Sequence, residues 1–428
     1  MERRPFLCPL HPFHTLHPRS PLPTMTVTLP PGVDAATLGA LRDRYHAELF
    51  DRVVPFWERY SPDRQHGGTF NNLDRDGTVY DETKHVWLMG RPAWLFSTLY
   101  RTVEPRDEWL ALAASGVEFL RRHAVRDDGT VYFHLARDGR PIYRQRKIFS
   151  ECFTAMALAE HGRAAGRPEL IAEAEALLER IFHWAEDPTE IGRPALSGQA
   201  PSVALAVPMI LLNLIEEVAG DGWRRYSAEV DGLLDRVRLH VHHVEGGVEV
   251  RETVAPDGSR LDGPEGRLLN PGHAIEAGWF VQHWAQRLGR PDLSELALHV
   301  VRESYRRGWD AEHGGLFYFL DAVGRSPTQL EWSMKLWWPH CEALYAHLLG
   351  ASLSGSAADW AAFGETDAYT FARFPDPEHG EWFGYLDREG RVTHRFKGGP
   401  YKGCFHVPRA LLLCWRRLGE MEAAARAG

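Results

Sequence analysis

The sequence is poor in the features that mark several large classes of protein. Its 428 residues hold five cysteines, Cys8, Cys152, Cys341, Cys404 and Cys414. None forms a CxxC pair, so no disulfide framework is indicated, and a reducing, cytoplasmic compartment is expected. No apolar run approaches the ~20 residues of a membrane-spanning helix. No basic run is present and the formal net charge is −9, so neither a membrane nor a nucleic acid is expected as a partner. No GxGxxG or Walker pattern follows a strand, and no βαβ unit is present to carry one. Histidine is abundant, with 22 residues, yet there is no HExxH and no compact Cys/His set. No metal site is expected.

What is present is a composition of 44% hydrophobic and 25% charged residues, that of a soluble globular protein with a large core. Residues 1–24, rich in Pro, His and Arg, lack the apolar core of a secretory signal. They read as a disordered extension, with Met25 as an alternative start, leaving 25–428 as one domain. The hydrophobic period is helical nearly throughout, beginning with a helix from Ala36 to Arg59. A polar, Gly-rich passage follows, HGGTFNNLDRDGTVYD, whose Asp76-Gly77 pair signals a hairpin turn. Degenerate copies follow Val125, Val244, Ala311 and Pro377, with a weaker one near Asp187 to Pro201. Their spacing of about 60 to 70 residues marks repeated supersecondary units.

Between these passages lie about twelve helices, joined alternately by long hairpins and by short turns such as Gly166-Arg167-Pro168 and Gly289-Arg290-Pro291. Six helical hairpins with all long loops at one end predict an all-α (α/α)6 barrel, with the even-numbered helices as its inner wall. An open solenoid is the competing arrangement, but its polar end caps are not evident.

Several polar residues fall at the starts of even-numbered helices and should therefore meet at one mouth of the barrel. Arg91 lies on the second helix, His273 and Glu276 on the eighth, His340 and Glu342 on the tenth, and His406 begins the twelfth. The run KGGPYKGCFHVPR places Lys402 and Arg409 on either side of Cys404, Phe405 and His406. Each residue has a plain structural alternative. Arg91 between Trp87 and Trp94 could simply stack on a ring, His273 could serve the first turn of its helix, and Glu342 could only pair with Lys335 or Arg409. Trp337 and Trp338 suit either a core or a sugar-stacking wall, and Cys404 reads as a small wall residue rather than a nucleophile. Two histidines with an arginine and a glutamate suit proton transfer beside a carbonyl. One group removes the proton, the other returns it, and a cation steadies the enediolate.

The runs GGTFNNLDRDGTVYDETKHVWLMGR, NPGHAIEAGWF, KLWWPHCEAL, GEWFGYLDREGRV and KGGPYKGCFHVPR resemble, in order, the N-acyl-D-glucosamine 2-epimerase family, which includes renin-binding protein. The resemblance spans His66 to Arg409. It implies an (α/α)6 barrel that interconverts N-acetylglucosamine and N-acetylmannosamine, with His273 and His406 as the acid/base pair. It further implies Arg91 at the C1 oxygen and Glu342 orienting a histidine or assisting ring opening. Trp337, Trp338, Glu276, Lys402 and Cys404 would line the sugar site. The related cellobiose 2-epimerases and aldose–ketose isomerases, mannose isomerase among them, share the scaffold and the histidine pair, but the WWPHCEA and CFH runs look closer to the hexosamine enzymes. Some family members are stimulated by ATP without consuming it and many are homodimers. No cofactor is required by the chemistry. An inverting glycoside hydrolase using Glu276 and Glu342, or a non-enzymatic partner-binding protein, are the readings from other classes.

Overall fold

The computed structural model describes residues 27–192, 198 and 200–427. The extension expected over 1–24 lies outside the described residues, as does part of the sixth, weakest loop. Twelve helices are found among the described residues. The first, α1, runs continuously from Ala35–Ala47 through a π-helical stretch, Glu48–Val53, into Val54–Tyr60. There follow α2 (Val86–Thr102), α3 (Asp107–Phe119), α4 (Phe149–Ala165), α5 (Pro168–Glu186), α6 (Ala206–Ala219), α7 (Ser227–Leu239), α8 (Pro271–Leu288), α9 (Pro291–Gly308), α10 (Trp337–Ser354), α11 (Ala357–Arg373) and α12 (His406–Ala427).

The punctuation is local. Gly166 and Gly289 end α4 and α8 at φ +64° and +63°, a backbone state that costs glycine nothing. Pro168 and Pro291 then open α5 and α9 at the position where no N–H is needed. The Gly220-Asp221 turn is wider than its sequence suggests, a 3₁₀ segment over Gly220–Tyr226.

Two rings follow from burial. In α10 every residue from Trp337 to Ser352 is buried, and α2 is nearly as enclosed. A helix apolar on all sides belongs inside. In α9 only a stripe of Leu293, Ala297, Val300, Val301, Ser304, Tyr305 and Gly308 is buried, as an outer helix requires. The even-numbered helices pack in order around the axis. Close approach is needed there, since a Cβ on Gly90 of α2 would lie 2.4 Å from the Phe153 carbonyl of α4. Both rings close. Inside, Phe405 meets Trp94 at 5.5 Å and Arg416 of α12 donates to Thr102 of α2. Outside, Tyr45 of α1 donates to Asp367 of α11 at 2.8 Å, and Trp109 of α3 donates to Glu58 of α1 at 2.5 Å. An open solenoid would leave those ends unpaired.

The long loops lie at one end and knit to their neighbours. Lys84–His85, just before α2, pairs antiparallel with His134–Leu135 of the next loop. Val203–Ala204 pairs with Thr253–Val254, Leu268–Leu269 with Leu320–Asp321, and Lys335–Leu336 with Tyr385–Leu386. Three buried ion clusters repeat the same logic. Asp63 holds Lys84 at 2.9 Å and Arg137 at 3.0 Å, and Asp310 holds Lys335 at 3.0 Å and Arg388 at 2.8 Å. Asp376 holds Lys397 at 3.0 Å and Arg75 at 2.7 Å. In each case the lysine precedes an inner helix and the arginine comes from the next loop around. Arg75 belongs to the first loop and Asp376 to the last, so the third cluster closes the circle.

Candidate active site

The mouth of the barrel gathers the starts of α2, α8, α10 and α12, and the site is built from their first two turns. Asn270 caps α8, its Oδ1 accepting the His273 N–H at 3.2 Å, and Pro271 sets the first helical position. This cap points His273 toward the loop that precedes it. There Nδ1 of His273 lies 2.9 Å from Glu252 Oε2. Nδ1 of His406, at the start of α12, lies 2.7 Å from Glu342 Oε1 of α10. A carboxylate only accepts, so each imidazole carries its proton on Nδ1 and leaves Nε2 for chemistry. The Trp338 ring contacts both, 5.1 Å from His273 and 5.8 Å from His406.

The surroundings treat the two histidines differently. Burial disfavours the charged form of His273, but the Glu252 carboxylate first, and then Glu276 and Glu342, together outweigh it and raise the group above its ordinary value. Burial and then the Arg409 guanidinium push His406 well below. Arg409 donates to Glu276 Oε1 at 2.5 Å and to Glu342 Oε1 at 2.8 Å. Trp279 Nε1 occupies the other Glu342 oxygen at 2.9 Å. Glu276, Glu342 and His406 present donor atoms within 4.8 Å of one another, a spacing that suits a metal ion, but the guanidinium already supplies the positive charge that binds the two carboxylates together.

Arg91 is buried between three rings, its guanidinium 4.6 Å from Trp87, 4.3 Å from Phe153 and 4.9 Å from Phe405. Its Nε is buried without a hydrogen-bond partner. Burial first, and then Arg409, lower its pKa to about 9, which leaves it charged at neutral pH.

Of the residues expected at the site from sequence, His273, Glu276, Glu342, His406, Arg91 and Trp338 meet in this cluster. Trp337 reaches it only at its edge, 6.5 Å from His406, and packs on Tyr385. One residue is placed otherwise than a sugar-lining role requires. Lys402 is fully buried, with Nζ 2.7 Å from Glu381 Oε1 and 2.9 Å from the Lys397 carbonyl, so its charge is spent within the loop. Cys404 is a buried wall residue whose thiol is pushed up by burial. His340, on the same helix as Glu342, accepts from the Leu316 N–H at 2.9 Å, and burial lowers its pKa to about 3, so it is a neutral structural residue. Glu342 pairs with Arg409, and Lys335 is taken by Asp310. Sequence reasoning missed Glu252 and Trp279. Trp279 falls three residues after Glu276 in NPGHAIEAGWF and shares its helical face, a signal that was available. Glu252 lies in a hairpin, where no period points anywhere.

A family model described as N-acylglucosamine 2-epimerase matches residues 68–410. The chain is 47% identical over 397 residues to the N-acylglucosamine 2-epimerase of Mus musculus, covering 90% of this chain and 93% of that one. It is 47% identical over 401 residues to the Homo sapiens protein of the same name, covering 90% and 92%. A solved cellobiose 2-epimerase from Bacillus thermoamylovorans superposes with a TM-score of 0.76 at 19% identity, over 89% of this chain and 100% of that chain. That likeness bears on the fold, an (α/α)6 barrel. On the family model and the closeness of the mammalian relatives, the chain belongs to the N-acylglucosamine 2-epimerase family.

Proposed function

We propose that this protein interconverts N-acetylglucosamine and N-acetylmannosamine by removing and returning the proton at C2. One observation carries the reading: two histidines contact one indole, each with Nδ1 held by a carboxylate and Nε2 left for a substrate. In the ring-opened sugar the C2 proton lies next to the C1 aldehyde. The Nε2 of one histidine takes it, the electrons move onto the C1 oxygen, and the Nε2 of the other returns a proton to the opposite face. Arg91 steadies the enediolate oxygen as charge develops, a role supported by its charge and its unpartnered Nε. Glu342 orients His406, and Trp338 offers a flat face to the sugar.

An inverting hydrolase fits less well. It needs carboxyl groups ~6.5–9.5 Å apart with a water between them. Glu276 and Glu342 present oxygens within 4.8 Å of each other, with one guanidinium bound to both. The reading includes one catalytic domain over 25–428, a homodimer, a cytoplasmic setting, no chemical cofactor, and ATP as an allosteric activator. No helix among the described residues is long and apolar enough to cross a membrane.

Proton NMR of the protein with N-acetylmannosamine in deuterated water tests the reaction. Growth of N-acetylglucosamine carrying deuterium at C2 is expected. His273→Asn and His406→Asn should each slow it by about 10²- to 10⁴-fold, the usual contribution of a positioned acid or base. Appearance of a ketose would make the protein an isomerase, and an unchanged sugar, with and without ATP, would remove the proposal.

A further inference from the structure

We infer that Glu252 is a positioning residue that keeps His273 as the imidazolium acid of the resting site, while His406 stands opposite as the neutral base. The inference deepens the two-histidine reading and rests on it. Its ground is an asymmetry in how the two carboxylates are shared. Glu252 comes from the hairpin before α8 and places Oε2 2.9 Å from His273 Nδ1. Among the described residues it forms no ion pair with an arginine or a lysine. Its negative charge is therefore undivided. Glu342 is shared three ways, with His406 at 2.7 Å, Arg409 at 2.8 Å and Trp279 at 2.9 Å. Arg409 also lies 3.5 Å from His406 Nδ1.

A carboxylate already neutralised by a guanidinium gains little from a second cation, and a guanidinium beside an imidazole repels its proton. The charged groups that act on each ring from the neighbouring elements point the same way. His273 is surrounded by the acids Glu252, Glu276 and Glu342, with Tyr318 close to Glu252. His406 has Glu342 and Glu276 beside it, but also Arg409, Arg91 and His273 itself. One extra proton on this pair therefore resides on His273. Its Nε2–H is the donor, and the Nε2 lone pair of His406 is the acceptor. After a turnover in which His406 has taken the C2 proton and His273 has given one up, the pair holds the same number of protons in the reverse arrangement. Reset needs only proton exchange, with no co-reactant. Because the two arrangements are tautomers of one protonation level, the basic limb of the pH–rate profile reports loss of the proton that Glu252 retains.

The experiment combines a pH profile with direct observation of the ring. Glu252→Gln keeps the shape and removes the charge. In that variant the basic limb of kcat/KM is expected to move down by at least about one pH unit, and Glu252→Asp should restore most of the shift. The acid limb, set by His406, should stay in place. A variant that merely loosened the loop would lower the rate without moving a limb. Nitrogen-15 NMR of the wild-type histidines, with His273 assigned by its loss in His273→Asn, requires neither turnover nor the variant. His273 should titrate above, and His406 below, the ordinary imidazole range. A His273 that titrates at or below that range, or a Glu252→Gln profile with an unmoved basic limb, overturns the inference. Failure of sugar turnover with a cationic His273 in the spectrum would instead count against the proposed reaction and leave the charge assignment standing.

Discussion

His273 and His406 are the same residue type in two electrostatic settings, and Arg91 shows the same dependence on surroundings. Its guanidinium is enclosed by Trp87, Phe153 and Phe405 and makes contact through its flat face. Lysine would keep the charge but has neither the plane nor the directed N–H groups. Arg91→Lys is therefore expected to lower kcat by roughly 10²-fold, the scale of one lost oxyanion donor, with a much smaller change in KM. Steady-state kinetics check it, and a variant with unchanged kcat would remove Arg91 from the enediolate role. The arginine itself was legible among the aromatic residues of KHVWLMGRPAW. Phe153 and Phe405, which complete its enclosure, come from α4 and the loop before α12 and carry no such signal in their own runs.

Among the elements, the loop before α12 departs most from the repeat. The runs PDRQHGG, WDAEHGG and PDPEHGE occupy the same place in three loops. Gly68 and Gly315 sit there at φ +70° and +75°, and Glu381 takes the matching position at φ +52°. A side chain in that state costs about 1–2 kcal/mol. What it gains is an anchor. Glu381 accepts from Trp57 Nε1 at 2.6 Å and from Lys402 Nζ at 2.7 Å, and Lys402 leads within four residues to His406. Glu381→Gly would relieve the backbone but leave Lys402 buried without its partner, a loss on the order of 3–5 kcal/mol. The expected result is a net destabilisation of roughly 2 kcal/mol in urea, with turnover reduced as well. A more stable variant would show that strain outweighs the buried pair. Such a residue cannot be recognised from one sequence, because its left-handed backbone and its partner 21 positions away exist only once the loop is folded.

At the scale of the molecule, three Asp–Lys–Arg clusters tie neighbouring loops around the mouth. Burial opposes ionisation of Asp63, Asp310 and Asp376, but the arginine and lysine at each outweigh it and hold all three carboxyls well below the ordinary 3.8. In the acid range the unfolded chain then binds more protons than the folded one, so stability is complete above that value and lost as pH falls through the folded values. Urea midpoints should drop steeply below pH 4, and hydrogen exchange of the mouth loops should rise before that of the inner helices. Asp63→Asn, Asp310→Asn and Asp376→Asn together should flatten the acid limb. An unaltered limb would place the acid sensitivity elsewhere.

The helical period, the six spaced Gly-rich passages and the Gly–Pro turns between helices were sufficient to specify twelve helices in pairs and the (α/α)6 barrel, because each is a local preference repeated along the chain. The same repetition brought Arg91, His273, Glu342 and His406 to one mouth, since residues at equivalent places in a closed ring must share an end. What tertiary structure alone decided is how charge is divided there. Lys402 was spent on Glu381, Arg409 was set between Glu276 and Glu342, and Glu252 was left to His273. These outcomes depend on distances of about 3 Å between side chains far apart in sequence, where the Coulomb term is large and changes sharply with position. No periodicity in the chain encodes them.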